Sequence, residues 1–260
     1  MHKIVLYCKS YRNDLDRVVT LCESITKHNK DNIPFYISVP RHDLNMFEAI
    51  LKDGFVKIIP DDEIDPNCDG WIGQQIVKSQ FWKLGLCENY VCLDSDSEFV
   101  RDFYISDFMF DENTPYTICH EHRELFEWAD RNNLGFDPYQ SYLRDRHTIK
   151  NLFHNPTQVT HDFGPSPVIW SRKVWESLEE NYIKSSGLTF SQLIQHVGSE
   201  FTWYGEWLLR SKAIPLIPRG PLFKVYHYRQ QWIDDRKNNI DLDQLRKYYI
   251  GTIFQSNWKH

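Results

Sequence analysis

Several familiar signatures are missing from this chain. No GxGxxG follows its first apolar run, and no GxxxxGK[S/T] occurs anywhere. These absences set aside a dinucleotide-binding Rossmann protein and a P-loop nucleotidase. The six cysteines, at 8, 22, 68, 87, 92 and 119, contain no CxxC and no regular spacing. They read as free cytosolic thiols, not as a disulfide framework or a zinc site. No apolar run approaches the roughly 18 residues that a membrane helix needs, so no transmembrane segment is expected. Met1-His2-Lys3 leads straight into Ile4–Cys8, too short a run for a secretory signal peptide. Basic surface is also lacking. The formal charge is −6, the isoelectric point is near 6.0, and no stripe of Lys and Arg interleaves with aromatics. Nucleic acid is therefore not an expected partner. There are no repeats and no low-complexity tract.

What is present is apolar and aromatic. Over 260 residues, 41% are hydrophobic and 15% aromatic, with nine Trp and fourteen Tyr. That is enough for one large domain, or one domain in two lobes. Most of these rings are expected in the core, although Trp and Tyr also stack on sugars and bases.

The first hundred residues alternate between strand and helix. Ile4–Cys8 reads as a buried strand. Asn13 or Asp14 then caps a helix whose inner face is Val18, Leu21, Cys22 and Ile25. Pro34–Val39 is a second strand, and Asp43 caps a helix carrying Phe47, Ile50 and Leu51 that closes near Gly54. Val56–Ile59 is a third strand, followed by a polar loop in which Asp61-Asp62-Glu63 is expected to be solvated. A helix from Trp71 to Leu86 precedes a fourth strand, Tyr90–Leu93. Strands apolar on both faces, alternating with helices, predict a parallel, doubly wound α/β sheet.

The second half is less regular. Glu121–Lys150 is charged, aromatic and helical where it is ordered. Pro167–Trp170 is a short strand, and Ser171 caps a helix with Val174, Trp175 and Leu178 inward. Ser199 caps a helix through Leu209. Strands are expected over Ile214–Ile217 and Phe223–Tyr226, and a final helix over Asp241–Gln255, with Gln244 in a variant capping box.

The fourth strand, YVCLDSDSEFV, runs directly into Asp94 and Asp96. In open α/β sheets, ligands bind beyond the carboxyl ends of strands, so these carboxylates stand at the mouth of a site. Oxygen ligands two positions apart can share a hard divalent ion, or one can take a ribose hydroxyl and the other the metal. A solvated turn is the alternative.

Three stretches carry a family resemblance: GWIGQQIVKSQFWKLGLCENYVCLDSDSEFVRDF (Gly70–Phe103), CKSYRNDLDRVVTLCESI (Cys8–Ile25) and SEFTWYGEWL (Ser199–Leu208). A nucleotide-binding α/β half that ends in strand–DxD resembles the GT-A class of glycosyltransferases. The helix pattern GWxxQQxxK before LDxD is similar to a bacterial group of capsule and surface-polysaccharide glycosyltransferases. The resemblance implies one GT-A domain over residues 1–260, Rossmann-like, with a mostly parallel central sheet flanked by helices. Residues 1–103 form its nucleotide-binding half and 104–260 its acceptor side. It implies a nucleotide-sugar donor, a UDP-sugar foremost, a glycan acceptor, and Mn²⁺ or Mg²⁺ as cofactor. Location is expected in the cytoplasm, at the inner face of the membrane, with peripheral membrane contact through the last helix left open.

Residue by residue, the resemblance implies that Asp94 faces the ribose or sugar and shares the metal with Asp96, with Ser95 beside them. His227, ending an aromatic strand, completes the metal set, although a lone His at a strand end is often structural. Lys224 and Arg229 are nearby cations for the diphosphate. Ser10, Tyr11 and Arg12 hold base and ribose. Gln75 and Lys78, spaced i,i+3 on one helix face, reach donor phosphate or sugar; a solvated helix edge is the other reading. For an inverting transfer the base candidates are Glu200, then Asp162 and Glu206; a retaining enzyme, which needs no such base, stays open. His161, in the HDFGPSP loop with Asp162, lines the donor or acceptor sugar. Trp170, Trp203, Tyr204 and Trp207 suit either a sugar platform or packing. CHEHRELFE (Cys119–Glu127) matches no zinc spacing and is set aside. Two other classes stay open: a sugar-phosphate nucleotidyltransferase or metal phosphohydrolase, and a non-catalytic nucleotide- or sugar-binding protein.

Overall fold

The computed structural model describes residues 1–51, 54–134, 138–155 and 159–255. Eleven described helices and ten strands follow in chain order. The first half runs β1 (His2–Lys9), α1 (Leu15–His28), β2 (Phe35–Val39), α2 (Leu44–Ile50), β3 (Val56–Pro60), α3 (Gly70–Gln80), β4 (Cys87–Leu93) and β5 (Ser97–Phe99). Next come β6 (Thr117–Ile118), α4 (Arg123–Asn132), α5 (Pro138–Leu152), β7 (Val168–Ser171), α6 (Arg172–Leu178), α7 (Lys184–Ser186), α8 (Phe190–His196) and α9 (Glu200–Ser211). The chain ends with β8 (Pro218–Arg219), β9 (Phe223–Tyr226), α10 (Arg229–Lys237), α11 (Leu242–Leu245) and β10 (Gly251–Phe254).

The main sheet has the order β3-β2-β1-β4-β7. Its first four strands are parallel, and β7 runs antiparallel to β4. This is the mostly parallel, helix-flanked α/β sheet that the alternating sequence predicts. Burial explains the strand placement: β1 is buried from Ile4 to Lys9 and β2 throughout, as central strands covered on both faces must be. The order reverses direction between β1 and β4, where Cys8 lies level with Leu93. The crevice beyond those two strand ends is the topological switch point, the place where such sheets take ligands. Ser10 and Asp94 flank it.

Two small sheets complete the second half. β5, β10 and β9 form one, and β6 pairs with β8 in the other. Because β10 runs antiparallel to β5 and parallel to β9, the residue before β5 (Asp96) and the residue after β9 (His227) stand at the same end of that sheet. One strand separates them, about 10 Å between backbones at the usual strand spacing.

Most of the aromatic residues are packing. Trp170, Trp175, Trp203, Tyr7, Tyr90 and Tyr204 are among the fully buried side chains. Tyr7 stacks on Phe81 at 3.9 Å between ring centres, and Trp175 meets Trp170 at 5.3 Å and Tyr204 at 5.2 Å. The helical spacing of Trp203 and Trp207 therefore records core burial and not a sugar platform.

Several local expectations change. The third helix stops at Gln80, and a 3-10 turn, Phe81–Leu84, carries the chain to Gly85 at φ 66°. No strand forms over 214–217; only Pro218–Arg219 pairs, with β6. The last helix is a single turn, Leu242–Leu245, although Asp241 accepts the Gln244 N–H as a cap should. The run after it, rich in aromatic and β-branched residues, becomes β10, because β5 and β9 need a strand between them to pair their backbones. Asp61 is not solvated: it is buried against Lys9 at 2.8 Å. Asp14 and Asp43 occupy N-cap positions without capping, since their carboxylates are drawn to Arg17 and Arg12.

One close approach ties the second half together. Gly205, in mid-α9, presents bare backbone to the ring of Phe163, which sits where a Cβ would be. Gly205→Ala should therefore destabilise by about 1–3 kcal/mol through overpacking, despite alanine's better helix propensity. Urea unfolding checks this; an unchanged or raised midpoint would show that the Phe163 loop retreats freely.

Candidate functional site

At the switch point, three elements bring charges together. α3 presents Gln75 and Lys78 on one face, β4 ends at Asp94, and α9 begins at Glu200. The Lys78 ammonium pairs with Asp94 Oδ1 and lies 3.8 Å from Glu200 Oε1. Gln75 Oε1 accepts the Glu200 backbone N–H at 3.3 Å. Gln75 Nε2 is buried and finds no partner among the described residues. Burial alone would lower the Lys78 pKa, but Asp94 and Glu200 outweigh it and hold the lysine charged. Burial raises the Glu200 carboxyl above the usual range, with Lys78 opposing. A buried carboxyl with a raised pKa is a candidate for proton transfer.

The neighbouring positions are equally constrained. The Asp94 backbone N–H donates to Ser166 Oγ at 3.0 Å, and that hydroxyl donates to Cys92 O at 3.1 Å. Ser95 Oγ donates to Asp14 Oδ2 at 3.0 Å. Asp96 is half-buried. Ser10 is buried at the end of β1, its Oγ without a partner among the described residues. Tyr11 is partly exposed beside it. The Arg12 guanidinium and backbone N–H both bind the buried Asp43; burial opposes, but Arg12 keeps that carboxyl below its ordinary range.

A second group lies on the other side of residues 161–167. His122 Nε2 meets Asp162 Oδ2 at 2.7 Å, and Arg146 meets Asp162 Oδ1 at 2.7 Å. The Gly164 N–H also donates to Oδ1, at 3.1 Å. His120 Nε2 donates to Gly164 O at 2.6 Å. The His227 ring faces His122 edge-on, 5.5 Å between centres. Burial first, then His122, pushes His227 down to about 4, so its imidazole is neutral at physiological pH. These histidines line a cavity of about 700 Å³ together with Trp128, Lys224 and Asp235. His161, next to Asp162 in sequence, packs edge-on against Phe163.

The fold thus brings Gln75, Lys78, Asp94 and Glu200 into one group, with Ser10 across the crevice. It puts Asp162 and His227 in the other. Glu206 is in neither: it is buried and bonds the half-buried Asn155. Among the described residues, the group whose ligand atoms lie within 4.8 Å of one another is His120, His122 and Asp162, and not Asp94, Asp96 and His227. The sequence reading passed over His120, His122, Arg146 and Ser166. A His-x-His was visible in CHEHRELFE, but its partner lies about forty residues on, brought alongside by the His120–Asp162 backbone bridge.

Fold and site together define an α/β protein with a buried glutamate, a half-buried aspartate and a buried lysine at the switch point of a mostly parallel sheet. Residues 3–244 match a family of unknown function (DUF6492), and the chain belongs to that family. No curated protein matches it. Among solved structures it is similar to the crystal structure of mouse xyloside xylosyltransferase 1 in its apo form, at 10% identity and a TM-score of 0.49, over 98% of each chain.

Asp162 links the second group to stability. Burial alone would raise its pKa, but Arg146 and His122 carry it well below the usual value. Its folded pKa lies under the unfolded value of about 3.9. Its contribution is therefore complete at neutral pH and declines as pH falls below about 4. Arg146→Met, which strands a buried carboxylate, should destabilise by about 3–5 kcal/mol at pH 7. Asp162→Asn should also destabilise at pH 7 and lessen the loss of stability between pH 5 and pH 3, read from urea midpoints across that range.

Proposed function

We propose that this protein is a metal-dependent glycosyltransferase that moves a sugar from a nucleoside diphosphate donor to a hydroxyl acceptor. The GT-A resemblance of the sequence motivates this reading. The observation that carries it is the convergence of Gln75, Lys78, Asp94 and Glu200 at the switch point between β1 and β4. The donor lies across the ends of those strands. Ser10, Tyr11 and Arg12 take base and ribose, with a UDP-sugar as the first candidate. Asp94 and Ser95 face the ribose and sugar, and His161 lines the sugar side. Surface-polysaccharide synthesis on the cytosolic side of the membrane is the pathway class proposed; no described helix is long and apolar enough to cross a membrane.

The residues suit a divalent ion. Asp94 and Asp96 offer oxygens, and His227, kept neutral by burial, offers a nitrogen at the same end of the small sheet as Asp96. Carboxylate oxygens and an imidazole are donors that Mn²⁺ takes, but the three do not lie within 4.8 Å of one another, so His227 would have to move toward the Asp94–Asp96 end to share an ion with it. When bound, the ion neutralises charge on the leaving diphosphate.

The chain's own groups supply the rest. Lys78, held charged between Asp94 and Glu200, is within one side chain of donor oxygens at this mouth. Gln75 Nε2, buried and unpartnered, is a donor for a phosphate or sugar oxygen. Asp162 is committed to Arg146 and His122, which leaves Glu200 to accept the acceptor's proton. In an inverting transfer the acceptor oxygen bonds to the anomeric carbon as the bond from that carbon to the phosphate oxygen breaks. The acceptor's hydrogen passes to Glu200, and the nucleoside diphosphate departs.

A thermal-shift panel of UDP, GDP, CDP, CMP and ADP, with and without Mn²⁺, tests the reading. A ligand that binds only the folded state raises apparent stability, so one nucleotide, UDP first, should raise Tm only with Mn²⁺. Asp96→Ala should abolish that rise while leaving the unliganded Tm near wild type. Glu200→Gln should keep the rise and lower transfer about 10²–10⁴-fold. A full metal-dependent shift in Asp96→Ala would sink the assignment.

A further inference from the structure

We propose that His120, His122 and Asp162 form a second divalent-metal site, distinct from the Asp94–Asp96 end of β4 and selective for borderline ions of the Zn²⁺ class. One ligand atom from each of the three lies within 4.8 Å of the other two. Two histidines and one carboxylate favour Zn²⁺, Co²⁺ or Ni²⁺ over Mg²⁺, whose preference is for oxygen.

The surroundings are those of a built site. Metal-binding histidines usually donate their second nitrogen to a carboxylate or carbonyl, which sets tautomer and ring direction. His120 does this: Nε2 donates to Gly164 O at 2.6 Å, leaving the Nδ1 lone pair for an ion. Nδ1 now accepts only the His122 N–H, at a long 3.2 Å. Asp162 keeps Oδ1 on Arg146 and the Gly164 N–H, which leaves Oδ2 facing His122 Nε2 at 2.7 Å. That contact is a direct hydrogen bond, and the two atoms must part by about half an ångström to stand as tetrahedral ligands of one ion. Coordination there replaces the hydrogen between the two atoms, and His122 carries its proton on Nδ1 instead.

The backbone contributes as well. His122 stands at φ 57°, a left-handed conformation uncommon for a residue with a side chain, and it begins α4. Strained positions of this kind concentrate at functional sites. The site opens onto the cavity of about 700 Å³, whose lining includes Glu121, Glu124, Glu127, Asp234 and Asp235. These carboxylates outnumber the basic Arg123, Arg131 and Lys224 there, and the excess of negative charge favours a cation. An ion would cross-link the segment leading into α4 to residues 161–167, the stretch that carries Ser166 to the Asp94 backbone.

The proposal does not depend on glycosyl transfer, and its test needs no activity. The full chain, free of any histidine tag and stripped with chelator, is titrated calorimetrically with ZnCl₂, MnCl₂ and MgCl₂. The expected result is a Zn²⁺ site of one ion per chain that prefers Zn²⁺ over Mg²⁺, in addition to any ion held at the Asp94–Asp96 end. His120→Ala and His122→Ala should each weaken Zn²⁺ at least about tenfold. The exposed His42→Ala should leave it unchanged. Imidazole nitrogen NMR of the wild-type chain needs no variant: Zn²⁺ should shift the ring nitrogens of His120 and His122. Absence of stoichiometric Zn²⁺ binding overturns the proposal. So does binding that survives His122→Ala but disappears in Asp96→Ala, which places the ion at the strand end, or NMR shifts confined to other histidines.

Discussion

The buried ammonium of Lys78 is the interaction on which the candidate site depends. It stands between Asp94 at the end of β4 and Glu200 at the start of α9, so one charge from α3 joins three elements from both halves of the chain. Glu200 is buried, and Lys78 is the opposite charge that a buried carboxylate needs. With it, Asp94 is paired at the crevice, and Glu200, whose pKa burial raises, has an opposing charge beside the unpartnered Gln75 amide. The lysine is thus both the structural tie and a charged group offered to a ligand.

Residues 161–167 make the second connection. Asp162 and Gly164 anchor the histidine group, while Ser166 holds the Asp94 backbone and Cys92 carbonyl. Phe163 seats the same stretch against the bare face of α9 at Gly205. A change at His122 and a change at Asp94 are therefore separated by only a few residues of chain. The two groups are chemically unlike: one offers carboxylates, an amide and an ammonium, the other imidazoles and a carboxylate locked by arginine.

Much of the architecture was legible in the residues. Apolar strands alternating with amphipathic helices announced β1 to β4 and their parallel pairing. The abrupt stop of YVCL at Asp94 located the strand end, and the shared face of Gln75 and Lys78 pointed to one environment. The misreadings have local causes. Asp241 is a true cap, so the helix signal was real, yet the chain leaves it after one turn to supply the strand that β5 and β9 lack. Asp61 looked like part of a solvated acidic run because its partner, Lys9, comes from the end of another strand. The tryptophans at helical spacing fitted a platform and a core equally well, and burial decided for the core.

Sequence by itself determined the strand–helix periodicity, the carboxylates at the end of β4 and the charged face of α3, because each is a matter of neighbours within a few residues. Only the tertiary structure decided which distant groups meet. Glu200 joins Lys78, and Asp162 joins His122 and Arg146, because strand order and the path of residues 161–167 bring together positions between about 15 and over 100 residues apart. Periodicity records which way a side chain faces. Its partner is set by packing and by the requirement that a buried charge find an opposite one.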